Sequence, residues 1–172
     1  MIPWICFEWE TAGLPKPEIE VAPLVLRQAT KDDAAAVSRV VVSAMAMDSS
    51  WSDVTKSLGE KLGAEVAEAF ELPEPPCVVL VHGNRVIGAS VMNADPESAN
   101  HLLSGPCVLH EYRNRGLGTN LLRGSLEFLA KNGVARARGN TRSNSVSARF
   151  VYPKFKGKSS PLEGDPLAAT ED

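Results

Sequence analysis

An α+β domain, a mixed sheet covered by helices, is predicted by three features of this chain. Apolar residues recur at helical spacing in three segments. β-Branched runs bounded by turn residues lie between them. The two kinds follow one another as strand, two helices, three strands, helix, strand, helix, with a last strand near Phe155. At 172 residues and 44% hydrophobic, the chain has the length of one ordinary domain and the side chains for a sizeable core. It reads as an extended aromatic arm at 1–23, a folded domain at 24–157 and a flexible tail at 158–172.

The arm carries Trp4, Phe7 and Trp9, with LPKPE and VAP after them, and proline biases the residue before it toward extended backbone, so a helix is not expected there. Three exposed aromatics are unfavourable in water. The arm should therefore dock, either on the domain or on a second subunit as a homodimer. Leu24 to Arg27 is a short strand. Thr30 with Asp33 three residues on is an aspartate version of the capping box and starts a helix, whose stripe is Val37, Val40, Val41, Ala44 and Met45. Val54, Leu58, Leu62 and Val66 form the stripe of a second helix, after a loop around Asp48 to Ser52.

Cys77 to Val81 and Val86 to Met92 flank HGNR and read as a hairpin, with Gly88 marking a bulge. HLLSGPCVL is another strand, interrupted by Gly105-Pro106, since proline cannot donate to a ladder. Leu117, Leu121, Leu122, Leu126 and Leu129 line one face of a helix that Gly133 can close. Val134 to Thr141 alternates as a strand, and Ser143 to Val151 forms a short helix that Pro153 ends.

Net charge is −3 with a pI of about 5.7, which argues against tight binding to nucleic acid or an anionic membrane. The distribution is more informative. Glu111 to Lys158 holds 11 of the 18 Lys and Arg residues but 2 of the 21 Asp and Glu, so positive charge gathers where a small polyanion could bind. Cys6, Cys77 and Cys107 are odd in number and far apart, giving neither a disulfide framework nor a zinc site, and no metal is expected. The N-terminus lacks the basic and long apolar regions of a signal peptide, and no apolar run reaches spanning length, so a soluble, cytoplasmic protein is expected.

HEYRNRGLGTNLL, residues 110 to 122, places bare backbone and positive charge at the start of a helix. The first N–H groups of a helix have no intrahelical partner and carry the positive end of its dipole. Gly116 and Gly118 would let phosphate oxygens reach them, and Arg113 and Arg115 add charge-assisted bonds. A glycine turn that only tightens a strand-to-helix connection is the structural alternative. Neither a Walker GK[ST] nor a Rossmann GxGxxG is present, so the signal favours a phosphate or pyrophosphate over a nucleoside triphosphate.

Arg113-Asn114-Arg115-Gly116-Leu117-Gly118 matches the R/Q-x-x-G-x-G/A signature, and through it the chain resembles the GCN5-related N-acetyltransferases (GNAT). Val108-Leu109-His110-Glu111-Tyr112 resembles that family's strand-end approach to the signature, and the likeness extends from about Leu24 to Phe155. It implies a central mixed, mostly antiparallel sheet flanked by helices. It also implies acetyl-CoA (coenzyme A) as cofactor, held by Val108, Arg113, Asn114, Arg115, Gly116, Leu117, Gly118 and Thr119. The activity implied is acyltransferase: an acetyl group passes to a primary amine by direct attack in a ternary complex, the acceptor being a small molecule or a peptide.

The family's downstream pattern, N-x-x-A-x-x-L-Y-x-K, fits in two registers. Anchored on Asn144, which would contact pantetheine, it puts Val151 where tyrosine belongs. Anchored on Ala148 it aligns Val151-Tyr152-Pro153-Lys154 with L-Y-x-K and displaces the asparagine. Tyr152 is preferred as the catalytic acid, against the bland alternative of a tyrosine at the sheet edge. No residue declares itself the base; His101 at the head of the interrupted strand and Glu97 before it are the candidates. The acceptor pocket implied lies among the Met47 to Val54 loop, the Asn93 to Asn100 loop and the C-terminal segment, where Asp48 and Asp53 could attract a cation. A non-catalytic acyl-CoA-binding regulatory domain, or a structural phosphate-binding module, is the alternative to an enzyme.

Overall fold

Successive side chains of a strand point to opposite faces, and in Cys77–His82 both faces are apolar, with Cys77, Val78, Val79 and Leu80 all buried. Such a strand needs cover on both sides. The computed structural model, which describes residues 2–15 and 24–168, supplies it. In chain order the elements are β1 (Trp4–Glu10), β2 (Leu24–Gln28), α1 (Ala34–Met47), α2 (Thr55–Glu71), β3 (Cys77–His82), β4 (Arg85–Val91) and β5 (Cys107–Val108). They continue with α3 (Leu117–Lys131), β6 (Arg136–Arg142) and β7 (Lys158–Pro161).

Val78, Leu80 and Ile87 join one apolar cluster with Leu117, Leu121 and Leu126 of α3, while Cys77, Val79, Ala89 and Val91 join a second with the stripes of α1 and α2. β2, β3, β4 and β5 form a four-stranded antiparallel sheet in that order between these layers. The β3–β4 register shifts between Leu80 and Val81, opposite Val86 to Gly88. Helix α1 begins as its sequence suggests: Asp33 accepts the Thr30 N–H at 2.8 Å, and a 3₁₀ turn, Lys31–Asp33, leads into the helix. The α+β architecture of antiparallel sheets flanked by helices is the predicted one.

The N-terminal segment has a larger part than that of an appended arm. β1 is the middle strand of a second sheet, order β6-β1-β7, antiparallel to both neighbours. Trp4, Phe7 and Trp9 are 9%, 5% and 1% exposed, so their apolar surface is covered within the same chain. The last strand, expected near Phe155, lies at Lys158–Pro161, inside the segment read as tail, because its backbone pairs with β1 from Glu8↔Lys158 to Ile5↔Pro161. The parts of the expected arm and tail at 1, 16–23 and 169–172 lie outside the described residues.

Candidate functional site

The two sheets meet at a short seam and then part. The N–H groups of His101 and Leu102 both donate to the Arg138 carbonyl, at 2.8 and 3.1 Å, and the Arg138 N–H donates to His101 Nδ1 at 3.0 Å. Past the seam the strand that the sequence predicts over HLLSGPCVL loses its regular pairing. Between the pairs Met92–Leu102 and Ala89–Cys107, Ser90 and Val91 face Leu103 through Pro106, a two-residue excess. The Leu103 and Ser104 N–H groups share the Val91 carbonyl, and Ser104 Oγ accepts the Val91 N–H at 2.9 Å. Pairing resumes for only Cys107–Val108. The Leu109 N–H donates to Ile87, so by ladder alternation the Val108 N–H points away from β4. A cleft of about 520 Å³ runs beside this bulge, with Val108 on one wall and Asn140 and Thr141 of β6 among the residues lining it.

At one end of the cleft is the glycine loop. Asn114 (φ 64°) and Gly116 (φ 74°) are both left-handed, and Gly116 is the residue from which α3 starts. The Asn120 N–H reaches the Gly116 carbonyl at 3.2 Å, so the N–H groups of Leu117, Gly118 and Thr119 precede the first intrahelical bond and are available to an anion. A Cβ at Gly116 would meet no atom within 4 Å. Arg113 lines the cleft and is tied to α1 by a 3.2 Å bond to the Ala44 carbonyl. This donor set, a row of free backbone N–H groups with a guanidinium beside it, fits a pyrophosphate.

Further along is Tyr152, 2% exposed and lining the cleft. Its hydroxyl sits against the bulge, for a Cβ on Gly105 (φ 62°) would come within 2.5 Å of the phenol oxygen. The ring packs edge-on between Phe7 at 5.5 Å and Trp9 at 5.1 Å, and Trp9 Nε1–H donates to the carbonyls of Tyr152 and Lys154, both at 3.1 Å. Burial, and secondarily the Cys107 thiol, holds the phenol well above its ordinary pKa, so it is protonated at neutral pH. The preceding helix, Ser147–Val151, is π-wound: the Tyr152 N–H donates to the Ser147 carbonyl at 2.7 Å. A π turn holds one residue more than an α turn. That insertion equals the offset between the two registers in which the downstream pattern can be laid on the sequence.

The structure gathers Val108, Arg113, Asn114, Gly116, Leu117, Gly118, Thr119 and Tyr152 along one cleft. Arg115 and Asn144 are not among the residues lining it. Arg115 lies over the Tyr112 ring, and Asn144 is exposed in the turn that follows β6. Asn140, four residues earlier, lines the cleft instead, with its Oδ1 buried and unpartnered. Alternation along β6 could have pointed to it, but nothing in the sequence says which face of that strand meets the cleft. His101, considered as a base, has no free nitrogen: Nδ1 accepts from Arg138, and Nε2 lies 3.0 Å from the Asp95 carbonyl, to which it must donate. Burial lowers its pKa, which keeps the ring neutral.

The far end of the cleft is made by Trp4, Asp48, Trp51 and Asn100 together with Leu167 of the C-terminal segment. Asp53 does not join them: Arg142, 6% exposed, holds both its carboxylate oxygens, at 2.7 and 3.1 Å, and lowers its pKa. That pair fastens the α1–α2 loop to β6. Among the described residues no group of three or more His, Cys, Asp or Glu could hold a metal ion, and no helix is long and apolar enough to cross a membrane.

Solved structures share this fold. A GCN5-related N-acetyltransferase from Sphaerobacter thermophilus superposes with a TM-score of 0.66 over 93% of this chain and 49% of its own, at 14% identity. A GNAT-family acetyltransferase from Colwellia psychrerythraea gives 0.64 over 94% and 54%, also at 14% identity. A GCN5-related glucosamine N-acetyltransferase region of a fungal multi-domain β-N-acetylglucosaminidase gives 0.60 over 92% of this chain and 20% of that one, at 12% identity. The chain thus spans about half the length of the first two. Comparison with curated proteins finds no match. Residues 44–157 match the model of the acetyltransferase (GNAT) family, two thirds of the sequence and nearly the whole length of the cleft's walls, and the chain belongs to that family.

Proposed function

We propose that this protein is an acyl-CoA-dependent N-acyltransferase that passes an acetyl group from acetyl-CoA to a primary amine within a ternary complex. The observation that carries the reading is the joining, in one cleft, of free helix-start N–H groups at Leu117 to Thr119 with a protonated phenol seated on a strand bulge. When bound, acetyl-CoA supplies the acyl group as a thioester.

The chain's own residues would do the following. Leu117, Gly118 and Thr119 offer their N–H groups, and Arg113 its charge, to the pyrophosphate. Val108 offers an N–H that no strand pairs on the cleft side, which can polarise a carbonyl. Asn140 Oδ1, buried and unpartnered, offers an acceptor to an amide N–H. Tyr152 would hold the proton that the thiolate takes as the C–S bond breaks, while the neutral amine nitrogen bonds to carbon and loses a proton to solvent, from which the Tyr152 phenolate is then reprotonated. Cys107 is unsuited to a covalent relay, since burial pushes its thiol up to about 12 and leaves little thiolate.

Binding of acyl-CoA without turnover is the second reading, and the engagement of both His101 nitrogens favours it to that extent. One experiment separates the two. The protein is incubated with acetyl-CoA and a broad panel of amines, and products are detected by mass. Acetylated amine that disappears in Tyr152→Phe supports the enzyme; CoA binding with no product from any amine supports the regulatory domain.

A further inference from the structure

The acceptor end of the cleft has a composition that narrows what can occupy it. Asp48 is the one carboxylate among the described residues lining the cleft, and it lies where α1 ends. One of its oxygens accepts from the Ser50 N–H at 3.0 Å and the Ser50 hydroxyl at 2.6 Å, which fixes the carboxylate's direction. Three residues on, Trp51 lies 5.5 Å from Trp4. Arg142, stacked over Trp51 at 5.5 Å and bonded to the Ser50 carbonyl as well as to Asp53, holds that loop in place. Met45, Leu58, Leu62 and Leu167 complete an apolar wall.

We infer, on the basis of the acyltransferase reading, that the acceptor is a monocationic primary amine on a compact apolar body, its ammonium drawn in by Asp48 before it gives a proton to solvent and attacks as the neutral amine, and its body met by Trp4 and Trp51. Charge counting argues against the other classes. A polyamine would need a second carboxylate, and none lines the cleft among the described residues. An amino acid would need a free cation for its carboxylate, whereas Lys61 is paired with Glu65 and Arg113 is engaged with the Ala44 carbonyl. An ammonium beside a fixed carboxylate gains a charge-assisted bond, while the aromatic faces cover its apolar body.

The test is a calorimetric titration of four probes into the protein in the presence of CoA: 2-phenylethylamine, its neutral analogue 2-phenylethanol, spermidine and glucosamine. The amine should bind roughly 10- to 100-fold tighter than the alcohol, the energy range of a hydrogen bond to a charged group, and tighter than spermidine or glucosamine. Asp48→Asn should abolish the preference for amine over alcohol. Asparagine keeps an oxygen for Ser50, so the loop is retained, and an unchanged CoA titration verifies the fold. Trp51→Leu should weaken the amine and the alcohol alike. Equal binding of amine and alcohol, preference for spermidine or glucosamine, or an unaltered Asp48→Asn would each overturn the inference. Failure to bind CoA would instead strike the acyltransferase reading, and the amine titrations, run without CoA, would still decide the acceptor end.

Discussion

Gly105 and Gly116 have nearly the same left-handed backbone, φ 62° and 74°, and lie on the same cleft's two working regions, yet their surroundings are opposite. Above Gly105 the Tyr152 hydroxyl leaves no room for a methyl group; around Gly116 nothing stands within 4 Å. One glycine exists so that a buried side chain can press on a strand. The other leaves the start of a helix open to whatever lies outside it. The contrast separates a packed, apolar region around Tyr152 from an open helix start, and substitutions at the two should fail in different ways.

Gly105→Ala should do the most damage. Its methyl would collide with a phenol that cannot swing aside between Phe7 and Trp9, and overpacking with left-handed strain together should cost about 2–4 kcal/mol. Chemical denaturation would measure this, and a loss under ~1 kcal/mol would mean that Tyr152 moves freely. Tyr152→Phe sharpens the same end without the collision. We expect kcat to fall toward the low end of the roughly 10²- to 10⁴-fold general-acid range, since a thiolate is a fair leaving group, with CoA affinity intact. Unaltered kcat on the true acceptor would assign the tyrosine to packing alone.

Gly116→Ala probes the open end. With no steric clash, only backbone strain of about 1 kcal/mol is expected in stability, while the KM for acetyl-CoA rises and kcat at saturation holds. A large stability loss would show that the loop is packed after all. The smallest effect is one of pH. Because burial raises the phenol's pKa, Tyr152 keeps its proton up to and beyond the ordinary tyrosine value. Ionisation of the acid therefore gives kcat no falling alkaline limb below about pH 10. A limb in wild type that vanishes in Tyr152→Phe would contradict that shift.

The open end was legible in the sequence because its requirements are local. Two glycines, two arginines and the start of an apolar stripe follow one another within a dozen residues; of Arg113 to Thr119, which the family signature implies, all but Arg115 line the cleft. The packed end depends on chain segments that only the fold brings together. WICFEWE reads as a run of aromatics, but nothing in it says that β1 will lie between β6 and β7, or that Trp9 will donate to a carbonyl 143 residues away. Tyr152 could be named but not placed, since the choice of register rests on a π turn that leaves no mark on composition. Asn144 was the natural asparagine to name by spacing; Asn140, which lines the cleft, is distinguished by strand facing and not by spacing. Arg142 looked like one more cation of a basic stretch and is a buried clamp on Asp53.

Calorimetric titration of CoA into Gly118→Glu, beside wild type and Tyr152→Phe, tests most directly whether the helix start binds the cofactor and the tyrosine does not. A Cβ at Gly118 meets only Val151 at 3.4 Å, an ordinary contact, and a carboxylate in the first turn of α3 favours the helix, so the variant should fold normally. The same carboxylate would stand at the cleft where the pyrophosphate is expected. We predict wild-type affinity in Tyr152→Phe and no measurable CoA binding in a folded Gly118→Glu protein. Wild-type affinity in folded Gly118→Glu would contradict the account, because the N–H groups of Leu117 to Thr119 could not then be the phosphate site.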